Sequence, residues 1–211
     1  MNADPLTTHL QVARYGDFTL TDAIRPALDV PIPPRQGYRI EVFRDRANRL
    51  RLPTLAAAVS AETMFDALLG LLEPLGDVVH VVLESSHGTG ADRHTDLRRN
   101  HIDLSVLLSH FCEFEDLLLN DGCTGIAVMS ARRPVEVQFD EHKLFHVYAP
   151  DLKPFRRVLK RFGVRRRKVL GLISEAEHLH HTTDEHTEAF RQLCLRTGVG
   201  DFDRVFSDES W

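Results

Sequence analysis

The sequence predicts an α+β protein in which helices pack on a mixed, largely antiparallel sheet. Residues 38–42 and 135–139 alternate apolar and polar side chains, which is typical of half-buried strands, and a polar turn follows each of them. The apolar runs VVHVV and TGIAVM indicate central strands that are covered on both faces. Stretches with helical spacing of apolar residues separate these strands, so we expect helices and sheet to share one core.

The elements are expected in a definite order along the chain. Three prolines between residues 31 and 34 lack backbone donors, so residues 1–37 are predicted to be an irregular lead-in. Residues 38–198 are predicted to form a single α+β domain, and residues 199–211 an acidic and aromatic tail. The order predicted from residue 38 is β-β-α-β-α-β-β-β-α, followed by carboxyl-terminal helices.

Start and stop signals support three of the helices. The first begins near Ser60 and should stop at Pro74, because proline cannot continue a helix. The second, from about residue 101, should close at Gly122. Asp151 and Gly163 bound the third helix in the same way, as an amino-terminal cap and a carboxyl-terminal stop.

Length and composition exclude several classes of protein. The chain has 211 residues, of which 43% are hydrophobic and 27% charged, enough to bury a sizeable core without disulfides. No apolar run approaches the roughly 18 residues of a membrane-spanning helix, and the first residues do not resemble a secretory signal. Three cysteines without a CxxC motif indicate a reducing, cytoplasmic compartment, and Cys123 is expected to be an ordinary small buried residue.

The loop that follows the VVHVV strand is the candidate ligand site by position, because α/β folds often bind ligands where a strand gives way to a helix. Its small residues let backbone amides approach an anion, and its histidines and aspartate could act as acid, base or metal ligand. The loop matches no phosphate-binding or dinucleotide-binding motif, so a polar surface loop is the plainer interpretation. The candidate residues are Ser85, Ser86, His87, Thr89, Asp92 and His94.

The stretch SEAEHLHHTTDEH contains four histidines. Two S/T-x-x-E capping boxes within it predict a short helix over about residues 175–181 and a second helix from about residue 183. On such a helix His178 and His181 lie on one face and could share a cation, although the full H-E-x-x-H motif is absent. We favour a solvated junction between two helices over a metal site in this stretch.

A basic segment precedes the histidine-rich stretch. Residues 152–174 contain nine lysines and arginines and no acid, whereas residues 175–211 contain nine acids. Such a segment could bind the phosphates of a nucleic acid, but the net charge of −5 and the absence of a nucleic-acid motif favour pairing with the acidic tail or across a homodimer. The patch is predicted to comprise Arg156, Lys160, Arg165, Arg166, Arg167 and Lys168.

No single motif identifies the function. We expect a non-catalytic module that binds a small molecule or a protein through residues 85–94, with no cofactor and no membrane partner. The first alternative is a metal-dependent hydrolase, with one divalent ion on His87, Asp92, His94, His178 and His181. The second alternative is nucleic-acid binding through residues 153–168.

Overall fold

The computed structural model describes residues 9–28, 33–45, 50–88 and 94–200. Within these ranges the helices are α1 (Ala61–Leu72), α2 (Leu104–Glu113), α3 (Glu115–Asn120), α4 (Lys153–Arg161) and α5 (Asp184–Thr197). The strands are β1 (Arg14–Tyr15), β2 (Phe18–Thr19), β3 (Ile24–Pro26), β4 (Gly37–Asp45), β5 (Leu50–Ala58), β6 (Val78–Ser85), β7 (Thr95–Asp103), β8 (Thr124–Ser130), β9 (Glu136–Phe139), β10 (Leu144–Tyr148) and β11 (His178–His180). The predicted α+β class is confirmed.

Seven strands form the main sheet in the order β4-β5-β10-β9-β8-β6-β7. Every pair of neighbours in this sheet is antiparallel. An isolated parallel bridge joins Tyr38 to Arg166. Two small antiparallel sheets stand apart from the main one, β1 with β2 and β3 with β11. The sheet is therefore largely antiparallel, as the alternating segments predict.

Each face of the main sheet packs against its own apolar layer. Alternate residues of β5 and β10 point to opposite faces, so Ala57 and Phe145 belong to the larger core, whereas Ala58 and Leu144 belong to a smaller one. The larger core also holds the buried faces of all five helices. The smaller core includes Ile24 of β3, and it therefore holds the β3–β11 sheet against the main sheet.

Strand β7 was not expected from the sequence, which predicted a polar loop and then a helix from about residue 101. In β7 only Leu97 and Ile102 are buried. The strand lies at the edge of the sheet and pairs with β6 alone, so most of its side chains face water and it lacks the apolar pattern of a strand. The helix predicted there begins at Leu104 instead.

The short helix predicted over about residues 175–181 is wrong, because His178, Leu179 and His180 form strand β11. The strand pairs with β3, about 150 residues earlier in the chain, and such a partner leaves no local signal in the sequence. The irregular lead-in likewise contains three short strands between residues 14 and 26. The helix predicted from about residue 183 is confirmed as α5, whose cap Thr183 accepts a hydrogen bond from the amide of His186.

Glu62, in the first turn of α1, links that helix to β2. Its carboxylate accepts hydrogen bonds from the hydroxyls of Ser60 and Thr19, the latter at 2.6 Å. These hydrogen bonds, Ser60 first, lower the pKa of Glu62 from 4.5 to about 2. The ionised carboxylate is thus the form that stabilises the contact between the helix and the strand.

We expect Glu62→Gln to lower the free energy of unfolding by about 0.5–1 kcal/mol near neutral pH, since the group is largely exposed and screened. Because the pKa of the folded state is depressed, this contribution is present above about pH 4.5 and is lost as the pH falls toward about 2. Urea denaturation of both proteins near neutral pH and at about pH 3 measures the difference. Asp66→Asn, exposed on the same helix, is the control. A difference that stays constant with pH contradicts this role for Glu62.

Candidate metal centre

Three histidines from two distant segments face one another. His142 lies in the turn between β9 and β10, and His178 and His180 lie on β11, where residues two apart point to the same side. The ring centroids are 4.8 Å (His142–His178), 4.9 Å (His142–His180) and 5.0 Å (His178–His180) apart. One ligand nitrogen from each ring lies within 4.8 Å of the other two. This cluster, named the three-histidine cluster below, has the donor set of a metal site.

The Nδ1 atom of each ring in the three-histidine cluster already has a partner. Nδ1 of His178 lies 2.6 Å from the carbonyl oxygen of Ala176, and Nδ1 of His180 lies 2.5 Å from that of Gly122. Nδ1 of His142 lies 3.3 Å from Oδ2 of Asp140. Because carbonyl oxygens can only accept, Nδ1 carries the proton in the first two rings and Nε2 keeps its lone pair. Outer-shell acceptors of this kind orient histidine ligands in metalloproteins.

Asp140 organises the turn that carries His142. Its Oδ1 accepts hydrogen bonds from the amides of His142 at 3.0 Å and Leu144 at 2.9 Å, and its Oδ2 contacts Nε2 of His146 at 3.2 Å. Burial opposes ionisation of this carboxyl, but the hydrogen bonds with His142 and His146 outweigh burial and hold its pKa well below its usual range. Asp140 is therefore an anion that fixes both the turn and the ring of His142.

A pocket of about 160 Å³ opens beside the cluster and is rich in acids. Its lining includes His142 and Cys123, together with Glu84, Asp96, Asp140 and Glu141. Burial, and then the charges of Asp96 and Asp140, raise the pKa of Glu84. A carboxyl with a raised pKa can hold a proton closer to neutral pH and give it up there, which is the property of a general acid.

A second group of ligand-type side chains lies at the start of β8 and the end of β6. Ligand atoms of His87, Asp121 and Cys123 lie within 4.8 Å of one another. Asp121 is fully buried and accepts hydrogen bonds from the hydroxyl of Thr124 and, at 3.3 Å, from the amide of Cys123. Burial opposes ionisation, but the contact with His87 and the bond from Thr124 lower the pKa of Asp121 to about 2. Burial raises the pKa of the Cys123 thiol.

Lys143 is a buried cation between these two groups. Its side chain is 3% exposed, and Nζ donates a hydrogen bond of 2.8 Å to the carbonyl oxygen of Thr124. Burial lowers the pKa of Lys143 to about 8, and the negative charges of Asp121, Asp140 and Glu141 oppose that fall. The lysine therefore partly balances the acids that surround both groups.

The predicted ligand loop lies partly outside the described residues, since Thr89 and Asp92 fall in the gap at 89–93. Ser85 and His94 line the acidic pocket, and the hydroxyl of Ser86 donates a hydrogen bond of 2.9 Å to Glu141. Oγ of Ser85 lies 2.8 Å from Nδ1 of His87. The part of the loop that is described thus borders the same pocket as the three-histidine cluster.

The structure divides the four histidines that the sequence proposed as ligands of one ion. His178 belongs to the three-histidine cluster and His87 to the second group, while His94 and His181 belong to neither of these groups. His142 and His180 were not among those four histidines. His178 and His180 are two residues apart, so they lie on one face of a strand. The capping boxes predicted a helix, in which His178 shares a face with His181, three residues on.

The predicted basic patch lines an open groove of about 630 Å³ between α4 and the segment at residues 164–166. This groove is named the basic groove below. The cations that line it are Lys153, Arg156, Arg157, Lys160, Arg165 and Arg166. Within the described ranges none of these six forms an ion pair. Of the other predicted members, Arg167 donates a hydrogen bond of 2.8 Å to the carbonyl oxygen of Gln36, and Lys168 lines a neighbouring pocket with Glu175.

Tyr38 fixes both walls of the basic groove. Its hydroxyl accepts a hydrogen bond of 3.2 Å from Nε of Arg156 on α4. Its amide donates to the carbonyl oxygen of Arg165 at 3.0 Å, and its carbonyl oxygen accepts from the amide of Arg167 at 2.9 Å. The groove is therefore built on a residue of the edge strand β4.

Comparisons with family models, with curated proteins and with solved structures find no match. Among the described residues, no helix is long and apolar enough to cross a membrane. We therefore infer function from the contacts of the described side chains.

Proposed function

We propose that the protein is a metal-dependent hydrolase in which His142, His178 and His180 bind one divalent transition-metal ion. The observation that carries this proposal is that one ligand nitrogen from each of the three rings lies within 4.8 Å of the other two, while each Nδ1 has an acceptor oxygen beside it that can orient the ring. Neutral imidazole suits zinc, cobalt and nickel, and carboxylate-rich sites suit magnesium and calcium. Three protein ligands leave a coordination position for water, as in catalytic zinc sites.

The chemistry that such an ion supplies is a lower pKa for its bound water, so that hydroxide is present near neutral pH. Two carboxyls of this chain would then handle protons. Glu141 precedes His142 in the sequence, and its negative charge acts to raise the pKa of His180. The hydroxyl of Ser86 donates a hydrogen bond that orients the Glu141 carboxylate. We assign Glu141 as the general base, and Glu84, whose pKa is raised, as the proton donor to the leaving group.

The acidic pocket limits the class of substrate. Glu84, Asp96, Asp140 and Glu141 give it negative charge, so it repels phosphate-rich molecules and accepts neutral or cationic ones. Its volume of about 160 Å³ suits a small acyl or amide group more than a bulky one. Small neutral esters and amides are therefore the substrates that we propose for this site.

Replacement of one histidine of the cluster tests metal binding. Calorimetric titration of untagged protein with Ni²⁺ should show that His180→Ala weakens binding by at least about a hundredfold, since even outer-shell changes cost 10–100-fold. For that reason Asp140→Asn should weaken binding by about 10–100-fold while leaving all three ligands in place. His181→Ala is the matched control, because this neighbouring histidine lies outside the cluster. Equal losses in the variants at 180 and 181 contradict the assigned ligands.

Hydrolysis tests the catalytic part of the proposal. We expect Zn²⁺-loaded protein to hydrolyse p-nitrophenyl acetate at a rate that a chelator abolishes and added Zn²⁺ restores. Glu141→Gln should lower kcat by about a hundredfold or more with metal affinity unchanged, because it removes the general base and leaves the ligands in place. Glu136→Gln changes an acid of the neighbouring strand β9 and should keep full activity. Activity that persists after metal removal rules out this mechanism.

The basic groove supports a second candidate function, the binding of nucleic acid through its phosphates. The specific observation is that six cations without ion pairs, among the residues described, surround one open groove. Tyr38 and Val164, the other lining residues, are 6% and 2% exposed, so the groove offers no aromatic face on which a base could stack. Binding there would depend on charge and not on base sequence.

A labelled single-stranded RNA oligonucleotide, followed by fluorescence polarisation at several salt concentrations, tests this candidate. Binding should weaken steeply with salt, and the double variant Arg165→Gln and Arg166→Gln should reduce the slope of log affinity against log salt by about one to two. The variant Arg44→Gln and Arg51→Gln removes the same charge from an exposed cross-strand pair and should bind as the natural protein does. Equal effects of the two double variants exclude the groove as the binding surface.

A further inference from the structure

We propose a second, buried metal site in which His87, Asp121 and Cys123 bind a thiophilic divalent cation such as Zn²⁺ or Cd²⁺. The three ligand atoms lie within 4.8 Å of one another, and the set of imidazole, carboxylate and thiolate is one that zinc accepts. The side chain of Asp121 is fully buried and that of His87 is 6% exposed. This site uses none of the residues of the three-histidine cluster, so it stands or falls independently of the proposed function.

The ring of His87 faces the carboxylate of Asp121. Its buried Nε2 lies 2.9 Å from Oδ2 of Asp121, and this contact helps to lower the pKa of that carboxyl. Without a metal, a proton lies between the two atoms. A cation that binds here takes the place of that proton, since a ligand histidine and a ligand carboxylate must both be deprotonated toward the metal.

Ser85 holds the other nitrogen of His87. Nδ1 lies 2.8 Å from Oγ of Ser85, and this hydroxyl can accept a proton from Nδ1 once Nε2 binds a metal. The contact also orients the ring toward Asp121. Asp121 is supported in the same way, because Thr124 and the amide of Cys123 both donate to its carboxylate.

Charge balance favours a divalent ion in this buried group. Asp121 binds as a carboxylate and Cys123 as a thiolate, because metal ligands of these types must be deprotonated. The two negative charges then match the two positive charges of the ion, so binding leaves no net charge in the buried site. The thiolate selects zinc or cadmium over magnesium and calcium, which prefer oxygen ligands alone.

The chain connects this group to the three-histidine cluster through one residue. Gly122 lies between Asp121 and Cys123, and its carbonyl oxygen lies 2.5 Å from Nδ1 of His180. A Cβ at Gly122 would collide with the carbonyl oxygen of Ala23, so only glycine permits this close approach. Cys123 and His142 also line the same acidic pocket.

Anaerobic titration with Co²⁺ tests the second site, because only a thiolate ligand produces a strong near-ultraviolet charge-transfer band. The starting protein carries Cys112→Ser, since Cys112 is exposed, whereas Cys194 is buried and burial raises its pKa to about 12. We expect the band to saturate with one bound Co²⁺. Adding Cys123→Ser should abolish the band, and His87→Gln should weaken the affinity measured from the band by at least about tenfold.

The variants separate the two sites. If both exist, His180→Ala keeps the band and loses one of two bound ions, whereas Cys123→Ser loses the band and keeps one ion. If only the second site exists, the starting protein binds a single Co²⁺ ion and shows the band. His180→Ala then changes neither the number of bound ions nor the band. Binding of Co²⁺ without the band, or a band that survives Cys123→Ser, overturns the second site. Far-UV circular dichroism checks that each variant is folded. If Cys123→Ser does not fold, the presence or absence of the band in the starting protein shows whether a thiolate binds the ion.

Discussion

The antiparallel pairing of β11 with β3 is the constraint on which the three-histidine cluster depends. The pairing aligns His178 with Pro26 and His180 with Ile24, and it continues in a backbone hydrogen bond of 2.8 Å from His181 to Ala23. The small sheet is held by the buried side chain of Ile24 in the second core. The pairing with β3 places β11 beside the turn that carries His142. The residues that flank β11 in the sequence do not determine this position by themselves.

Two carboxylates, the buried Asp121 and the partly buried Asp140, hold the elements that meet beside the acidic pocket. Asp140 fixes the turn between β9 and β10, and Asp121 fixes the start of β8, because each carboxylate accepts at least two hydrogen bonds from that segment. An ionised carboxylate loses much hydration when it is buried, so it is stable there only with such donors. Lys143 adds a compensating charge, because its buried ammonium lies among the same acids. The rigidity of both candidate sites therefore depends on polar groups that satisfy one another.

Charge separates two regions of the surface that suit different ligands. The acidic pocket collects Glu84, Asp96, Asp140 and Glu141 near the histidines. The basic groove collects six cations on α4 and the segment that pairs with Tyr38. A phosphate-rich molecule would be repelled from the pocket and attracted to the groove, so the two regions would not compete for one ligand. The net charge of −5 conceals this division, since it sums over both.

The sequence by itself determined the α+β class, the hairpins and the helices α1, α4 and α5, because alternation, helical spacing and caps are local signals. The basic patch and the ligand loop over residues 85–94 stay predictions, although four of the six patch residues line the groove, and Ser85 and His94 line the acidic pocket. Only the tertiary structure decided that β7 is an edge strand and that residues 178–180 form a strand. It alone decided which histidines meet, because His142 and His180 come together through a pairing between segments about 150 residues apart. Side chains that converge in this way leave no periodic pattern in the sequence, and their proximity follows from packing and not from local preference.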